Sequence, residues 1–242
     1  MDVTRYAKKR FKLLGHHLES YGQSTDIVFL HEIRLEIKKI KSLLQLTEFS
    51  LREFKGHKHY KPFRAIFRMA GDIREPEVFY GLLLQYGIEE IEDRRIPQSN
   101  DEITLSQAFQ ERIPSFNRII KKNKRKLIPY FSRVYRTHVT KYLRNKKGEL
   151  GKRLLTRWNP GVLHKARKVA KEIIYLSTIV KRAKRKLDPF YEKTQNAIGW
   201  WHDKQMLMPL LKENGNPELR KIQLESRENI RQLRKSVSDF YR

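Results

Sequence analysis

The pattern His-x-x-Arg-x-x-x-Lys occurs twice in this chain, as His31, Arg34 and Lys38 and again as His164, Arg167 and Lys171. Steps of three and then four residues return to one face of an α-helix, so both segments are expected to be helical. A helical face that carries two permanent cations and a titratable imidazole suits the holding of a polyanion. Because that face is made twice, the chain is also expected to consist of two related halves.

On a helical wheel, the segment from Leu30 to Leu46 places His31, Arg34, Lys38, Lys41 and Gln45 on one stripe. Leu30, Ile33, Ile37, Ile40 and Leu44 fill the adjoining stripe, and Glu32 and Glu36 point roughly opposite the cations. A helix designed only for solubility interleaves acids and bases so that they pair. Segregated cations beside an apolar stripe border a core or a cleft, where an unpaired charge is costly unless an anion visits. The second copy, Leu163 to Val180, aligns His164, Arg167, Lys171 and Tyr175 beside Leu163, Ala166, Ala170 and Ile173. Ile174 stands where the first copy has Lys41, and Glu172 where it has Lys39. The second face is therefore expected to carry less positive charge, with the Arg34 side dominating. Lys39 and Lys168 fall off the main stripes and are expected to be solvated.

The repeat extends downstream. FRMAGDIREPEV (67–78) follows the first copy and QNAIGWWHDKQM (195–206) follows the second, so that Gly71 aligns with Gly199, Arg74 with His202 and Glu75 with Asp203. The same order of helix, bend and helix supports duplication. Elsewhere, period-two alternation is scarce and breakers cut the chain into helix-sized pieces. These lie near Gly22, Gly56 to Pro62, Gly71 to Pro76, Gly87, Pro97 to Asn100, Pro114, Gly148 to Gly151, Asn159 to Gly161, Pro189 and Asn214 to Pro217. About ten helices and no sheet are expected, with a kink or break at Pro129 and a helix start at Asn216-Pro217. Residues 88–113, acidic and then loop-like, are the expected boundary, with halves of about 1–98 and 99–242 in a single domain.

Composition narrows the partner. The chain carries 53 Lys+Arg against 27 Asp+Glu, a formal net charge of +26. Self-repulsion on that scale points to nucleic acid, a phosphate polymer or an anionic membrane, against a merely basic surface as the plain alternative. Hydrophobic residues at 39% are enough for a real core, so the charge does not imply disorder. The lack of cysteine excludes disulfides, thiolate catalysis and Cys-ligated zinc. No stretch approaches the length of a membrane span or a secretory signal, and a cytoplasmic protein is expected.

LHEIRLEIKKIKSLLQLTEF (30–49) resembles the signature VHxxRVxxRRLRSxLxLF of the CHAD family, the conserved histidine α-helical domain. LHKARKVAKEIIYLSTIV (163–180) resembles its second signature, LHxxRIxxKxLRYxLE. FRMAGDIREPEV and TQNAIGWWHD are similar to its LxxLxGxLRDxDV and LQxxLGxxxD elements. Glu75-Pro76-Glu77 stands where the family has Asp-x-Asp. The resemblance covers nearly the whole chain. It implies an all-α fold of two pseudo-symmetric four-helix-bundle-like halves around a basic central cavity, and binding of inorganic polyphosphate. Granules of that polymer, or the enzymes that metabolise it, are implied as further partners.

Polyphosphate carries about one charge per phosphate, so spaced cations bind it by displacing counterions. Arginine forks grip phosphate oxygens, lysines add point charge and histidine adds a pH-dependent donor. His31, Arg34, Lys38, Lys41, His164, Arg167 and Lys171 are the first candidates, followed by Arg64, Arg68 and Arg74, with Tyr175 as a hydroxyl donor. Trp158, Trp200 and Trp201 lie off both stripes and are expected to pack between helices rather than stack on bases. HEIRLEIKK lacks the second histidine of a zinc motif, His57-x-His59 has no carboxylate partner, and Glu90-Ile91-Glu92-Asp93-Arg94 only approaches the Glu-x-Glu-x-Lys of tunnel triphosphatases. Glu75, Glu77 and Asp203 are the only suggestive magnesium ligands. No enzyme activity and no cofactor are expected. DNA or RNA binding through the same basic surface is the alternative function.

Overall fold

Short polar side chains set where the helices begin. Asp26 accepts a hydrogen bond from the Val28 amide at 2.9 Å, and Asn159, Asp188 and Asn216 do the same for Val162, Phe190 and Glu218, each at 2.9 Å. In the last three cases a proline follows at once, where its fixed φ and missing N–H suit a first helical residue. The computed structural model describes residues 2–88, 99–180, 187–213 and 215–242. Among them are eight α-helices and no strand: α1 (Val3–Ser24), α2 (Ile27–Ser50), α3 (Gly56–Gln85), α4 (Ser99–Ser132), α5 (Arg136–Leu154), α6 (Pro160–Val180), α7 (Pro189–Glu213) and α8 (Glu218–Tyr241). Among the described residues, no helix is long and apolar enough to cross a membrane.

The helices are fewer and longer than the breakers suggest. Pro62 and Pro76 lie inside α3, Pro114 and Pro129 inside α4, and Pro209 inside α7. Each proline costs the carbonyl four residues earlier its hydrogen bond. Four of those five carbonyls belong to exposed residues, Lys58, Asp72, Arg125 and Gln205, where water can replace the missing donor, and Gln110 is half-buried. The expected breaks at Gly71 and at Gly148 to Gly151 are also absent. Gly71 and Gly151 are instead buried points of close approach, and a Cβ at Gly151 would lie 3.0 Å from the Tyr241 ring.

By packing, the chain divides into Met1–Val139 and Thr140–Arg242. In the first unit α1 and α3 each pack on both α2 and α4, so the four helices close around one interior. Leu14, Leu18, Leu30, Ile33, Ile37, Ile40, Phe63, Ile66, Phe109 and Phe131 are fully buried there. The expected boundary falls partly on residues 89–98, which lie outside the described ones; α4, beyond it, belongs with the first unit by its contacts with α1 and α3. In the second unit α7 packs on both α6 and α8. Tyr142 of α5 donates to Glu172 of α6, and Lys146 lies 3.3 Å from the same carboxylate. Phe190 and Phe240 stack with ring centres 3.8 Å apart.

Glu36 fixes α2 to α1. Its carboxylate accepts from Arg10 at 3.0 Å and from Lys39 at 2.7 Å, and its side chain is 1% exposed. Lys39 is therefore paired rather than solvated, because the acid one turn back draws it inward. Glu32 also faces α1, 4.0 Å from His17, so Glu32 and Glu36 do lie away from the cationic stripe.

Urea unfolding tests these arrangements. Glu36→Gln strands the buried Arg10 charge and should cost about 3–5 kcal/mol. Gly81→Ala and Gly148→Ala meet no atom within 4 Å and should gain up to about 1 kcal/mol from helix propensity. Gly71→Ala, whose methyl would collide with a fixed arginine, should lose stability in the same assay.

Candidate functional site

Helix α2 lays its cationic stripe along α3. From His31 toward Lys41 the neighbours on α3 run backward in sequence, as neighbouring antiparallel helices require. His31 lines a cavity of about 370 Å³ with Ile27, Val28, Arg74, Glu77 and Val78. Arg34 reaches Glu75, Gly71 and Phe67. Lys38 Nζ lies 5.6 Å from the Phe67 ring centre, and Lys41 Nζ lies 5.0 Å from that of Tyr60. Phe67 and Tyr60, seven residues apart on one helix, thus form an apolar shelf under the cations, attractive through their ring quadrupoles.

Arg34 is the most constrained member. Its Nη2 donates to Glu75 Oε1 at 2.6 Å, its Nη1 donates to the Phe67 carbonyl at 3.2 Å, and its guanidinium carbon lies 4.2 Å from the Phe67 ring centre. The head occupies the space that any side chain at position 71 would need: a Cβ there would sit 1.7 Å from Nη1. Gly71 is thus required by the arginine, not by its own backbone. Arg34 is 12% exposed and Glu75 68% exposed, so the acid lies on the solvent side of the pair. The expectation of unpaired cations along this face is therefore corrected at Arg34, which has an acid partner from the next helix.

The other candidates of this unit are less tightly held. Arg74 is half-buried, and burial together with the nearby Arg34 charge lowers its pKa, against the pull of Glu75 and Glu77. Arg64 and Arg68 are exposed on α3. Arg64 acts on Tyr60, whose hydroxyl pKa burial raises while Arg64 and Arg34 oppose the rise.

The second unit repeats one contact closely and changes its surroundings. Arg167 of α6 lies against Gly199 of α7, where a Cβ would sit 2.7 Å from Nη2. Gly199 is the residue that aligns with Gly71. Asp203, aligned with Glu75, turns to His202 at 3.5 Å instead of to the arginine. Arg167 Nε is buried without a hydrogen-bond partner, and among the described residues no acid pairs with Arg167. His164 and His202 lie with ring centres 6.2 Å apart. Lys171 and Tyr175 follow along α6, both half-buried. The structure thus groups His164, Arg167 and His202 on the α6–α7 face. Position 202 was visible in the repeat alignment, where it matches Arg74, but it was not counted among the candidates.

Several sequence motifs do not converge. His59 stacks on Phe54 with ring centres 4.6 Å apart, while the exposed His57, expected to lack a carboxylate partner, lies 3.9 Å from Glu48, which the turn between α2 and α3 brings beside it. Glu90 to Arg94 lies outside the described residues. Glu75 and Asp203 are engaged by Arg34 and His202, and among the described residues no three His, Asp or Glu side chains gather as a metal site. Trp158 packs, donating to the Leu154 carbonyl at 2.8 Å. Trp200 differs from expectation: it is 67% exposed. Gly199 faces α6, which turns the next residue outward into an α7–α8 cavity of about 860 Å³ with Leu224 and Asn229. Compared with known proteins, the chain matches no family model and no curated protein.

Burial, with Lys168, His202 and Arg167 nearby, lowers the His164 pKa from its ordinary 6.5. The neutral ring is thus favoured, and a bound polyanion would favour the imidazolium. An NMR titration should place the His164 midpoint below 6.5 and move it upward when polyphosphate is added. An unmoved midpoint at saturating polymer would remove His164 from the anion site.

Proposed function

We propose that this chain is a CHAD-type domain that binds inorganic polyphosphate through the α2–α3 face and the α6–α7 face, without catalysing a reaction on it. The observation that carries this is the recurrence, at aligned positions of both units, of an arginine laid on a glycine of the next helix beside a histidine-bearing turn. We take the two units as copies of one ancestral half. A net charge of +26 makes a polyanion the natural partner.

Phosphate suits the stripes better than bases do. Phe67 and Tyr60, the aromatic rings along the first stripe, lie beneath Arg34, Lys38 and Lys41. Rings covered by cations are not free as stacking platforms, whereas the cation heads above them suit phosphate oxygens. One observation favours the alternative: the exposed indole of Trp200 could stack on a base. The cytoplasm is the proposed location.

Competition separates the two. Labelled long-chain polyphosphate should be displaced by unlabelled polyphosphate far better than by duplex DNA or tRNA at matched charge, at two salt concentrations. Equal displacement by DNA would move the function to nucleic-acid binding. The triple variant Lys41→Glu, Arg64→Glu, Arg68→Glu should reduce the slope of log affinity against log salt by about 1 for each phosphate that the replaced cation had neutralised. The matched triple Lys121→Glu, Arg125→Glu, Lys126→Glu should change it less, and comparable reductions would mean that only net charge matters.

A further inference from the structure

Both units seat an arginine on a glycine, yet among the described residues only one of the two arginines has a carboxylate partner. Arg34 gives one nitrogen to Glu75 at 2.6 Å and the other to the Phe67 carbonyl at 3.2 Å. Arg167, in the same seat, has no acid partner among the described residues, and its Nε lacks a hydrogen bond. The acid that could have taken it, Asp203, is turned to His202.

We propose that Glu75 is a built-in counter-ion that occupies the phosphate-binding edge of Arg34, an assignment that rests on the polyphosphate-binding reading. A phosphate oxygen and the Glu75 carboxylate make the same kind of charge-assisted hydrogen bond to a guanidinium edge. The polymer therefore gains Arg34 only by displacing Glu75, which can swing into water because its side chain is largely exposed. Until then Arg34 is a strut that holds α2 against α3, and Lys38, Lys41 and Arg64 meet the polymer in this unit. In the second unit no acid among the described residues competes for Arg167. Glu75 thus sets the affinity of the first unit, and it reverses the order expected from charge alone, in which the Arg34 side dominates.

The test compares Glu75→Gln with Glu53→Gln. Glu53 also pairs with an arginine, Arg133, at 2.6 Å, but both of those side chains are more than half exposed and away from the stripe. Each variant removes one negative charge from the same unit, so bulk electrostatics affects them alike. With labelled polyphosphate, Glu75→Gln should bind about three- to fivefold more tightly than wild type, the scale of one exposed charge pair. Glu53→Gln should change affinity by less than about twofold, as expected for a screened charge off the site. In an Arg34→Gln background, adding Glu75→Gln should bring no larger gain than the Glu53 control. Damage to the fold would weaken binding, so a gain cannot come from a purely structural role.

Equal gains for the two variants would overturn the proposal, as would a gain that persists without Arg34. Weaker binding by a Glu75→Gln protein with unchanged circular dichroism would also overturn it, since Glu75 would then be presenting Arg34 to the polymer. If wild type binds polyphosphate and Glu75→Gln gains nothing, the counter-ion role alone fails. If neither wild type nor any variant binds it, the functional assignment fails, and the counter-ion role with it.

Discussion

A guanidinium can approach the backbone of a neighbouring helix closely only where that helix carries no side chain in its way. Arg34 on Gly71 and Arg167 on Gly199 meet that condition, and much of each unit is arranged around it. The contact sets the distance between α2 and α3 and between α6 and α7. It also fixes their register, because the arginine and the glycine must meet at the same height. Once register is set, Lys38 falls over Phe67 and Lys41 over Tyr60 in the first unit. In the second, His164 falls beside His202.

Glu32 and Glu36 of α2 lie toward α1, away from the cationic stripe. Glu36 is buried against α1, where Arg10 and Lys39 neutralise it, and the cations of the stripe lie along α3. Taking an ion pair out of water costs several kcal/mol per charge before attraction offsets it, so such a pair is better evidence for a specified arrangement than for added stability. Arg10 Nε and Glu36 Oε2 remain without hydrogen-bond partners, consistent with that view. The second unit uses the same device with other residues, Glu172 of α6 held by Tyr142 and Lys146 of α5. Burial raises the Glu172 pKa, while the tyrosine and lysine oppose it.

Much of this was legible from sequence, for local reasons. Helical spacing marked α2 and α6, and the apolar residues assigned to the core stripe, Leu30, Ile33, Ile37, Ile40 and Leu44, are all buried. Asn216-Pro217 announced a helix start through side-chain chemistry that acts within a few residues. Prolines and glycines were over-read as breaks. Propensity does not say that Pro76 leaves its orphaned carbonyl on an exposed residue, or that Gly71 is small because an arginine lies there. The Glu75–Arg34 pair was hidden for a related reason: its partners lie 41 residues apart on different helices. The aligned glycines were the one available hint that these two helices touch at that height. Trp200 was misjudged because the outward turn after Gly199 depends on which face of α7 meets α6.

The most direct measurement is a crystal structure of the chain with a short linear polyphosphate. Phosphate oxygens should lie within hydrogen-bonding distance of Arg167 and His164 on α6, and of Lys41 and Arg64 in the first unit. Phosphates seated instead on the lysine run of 121–126 or in the α7–α8 groove beside Trp200, with both stripes empty, would contradict a function built on the two arginine–glycine faces.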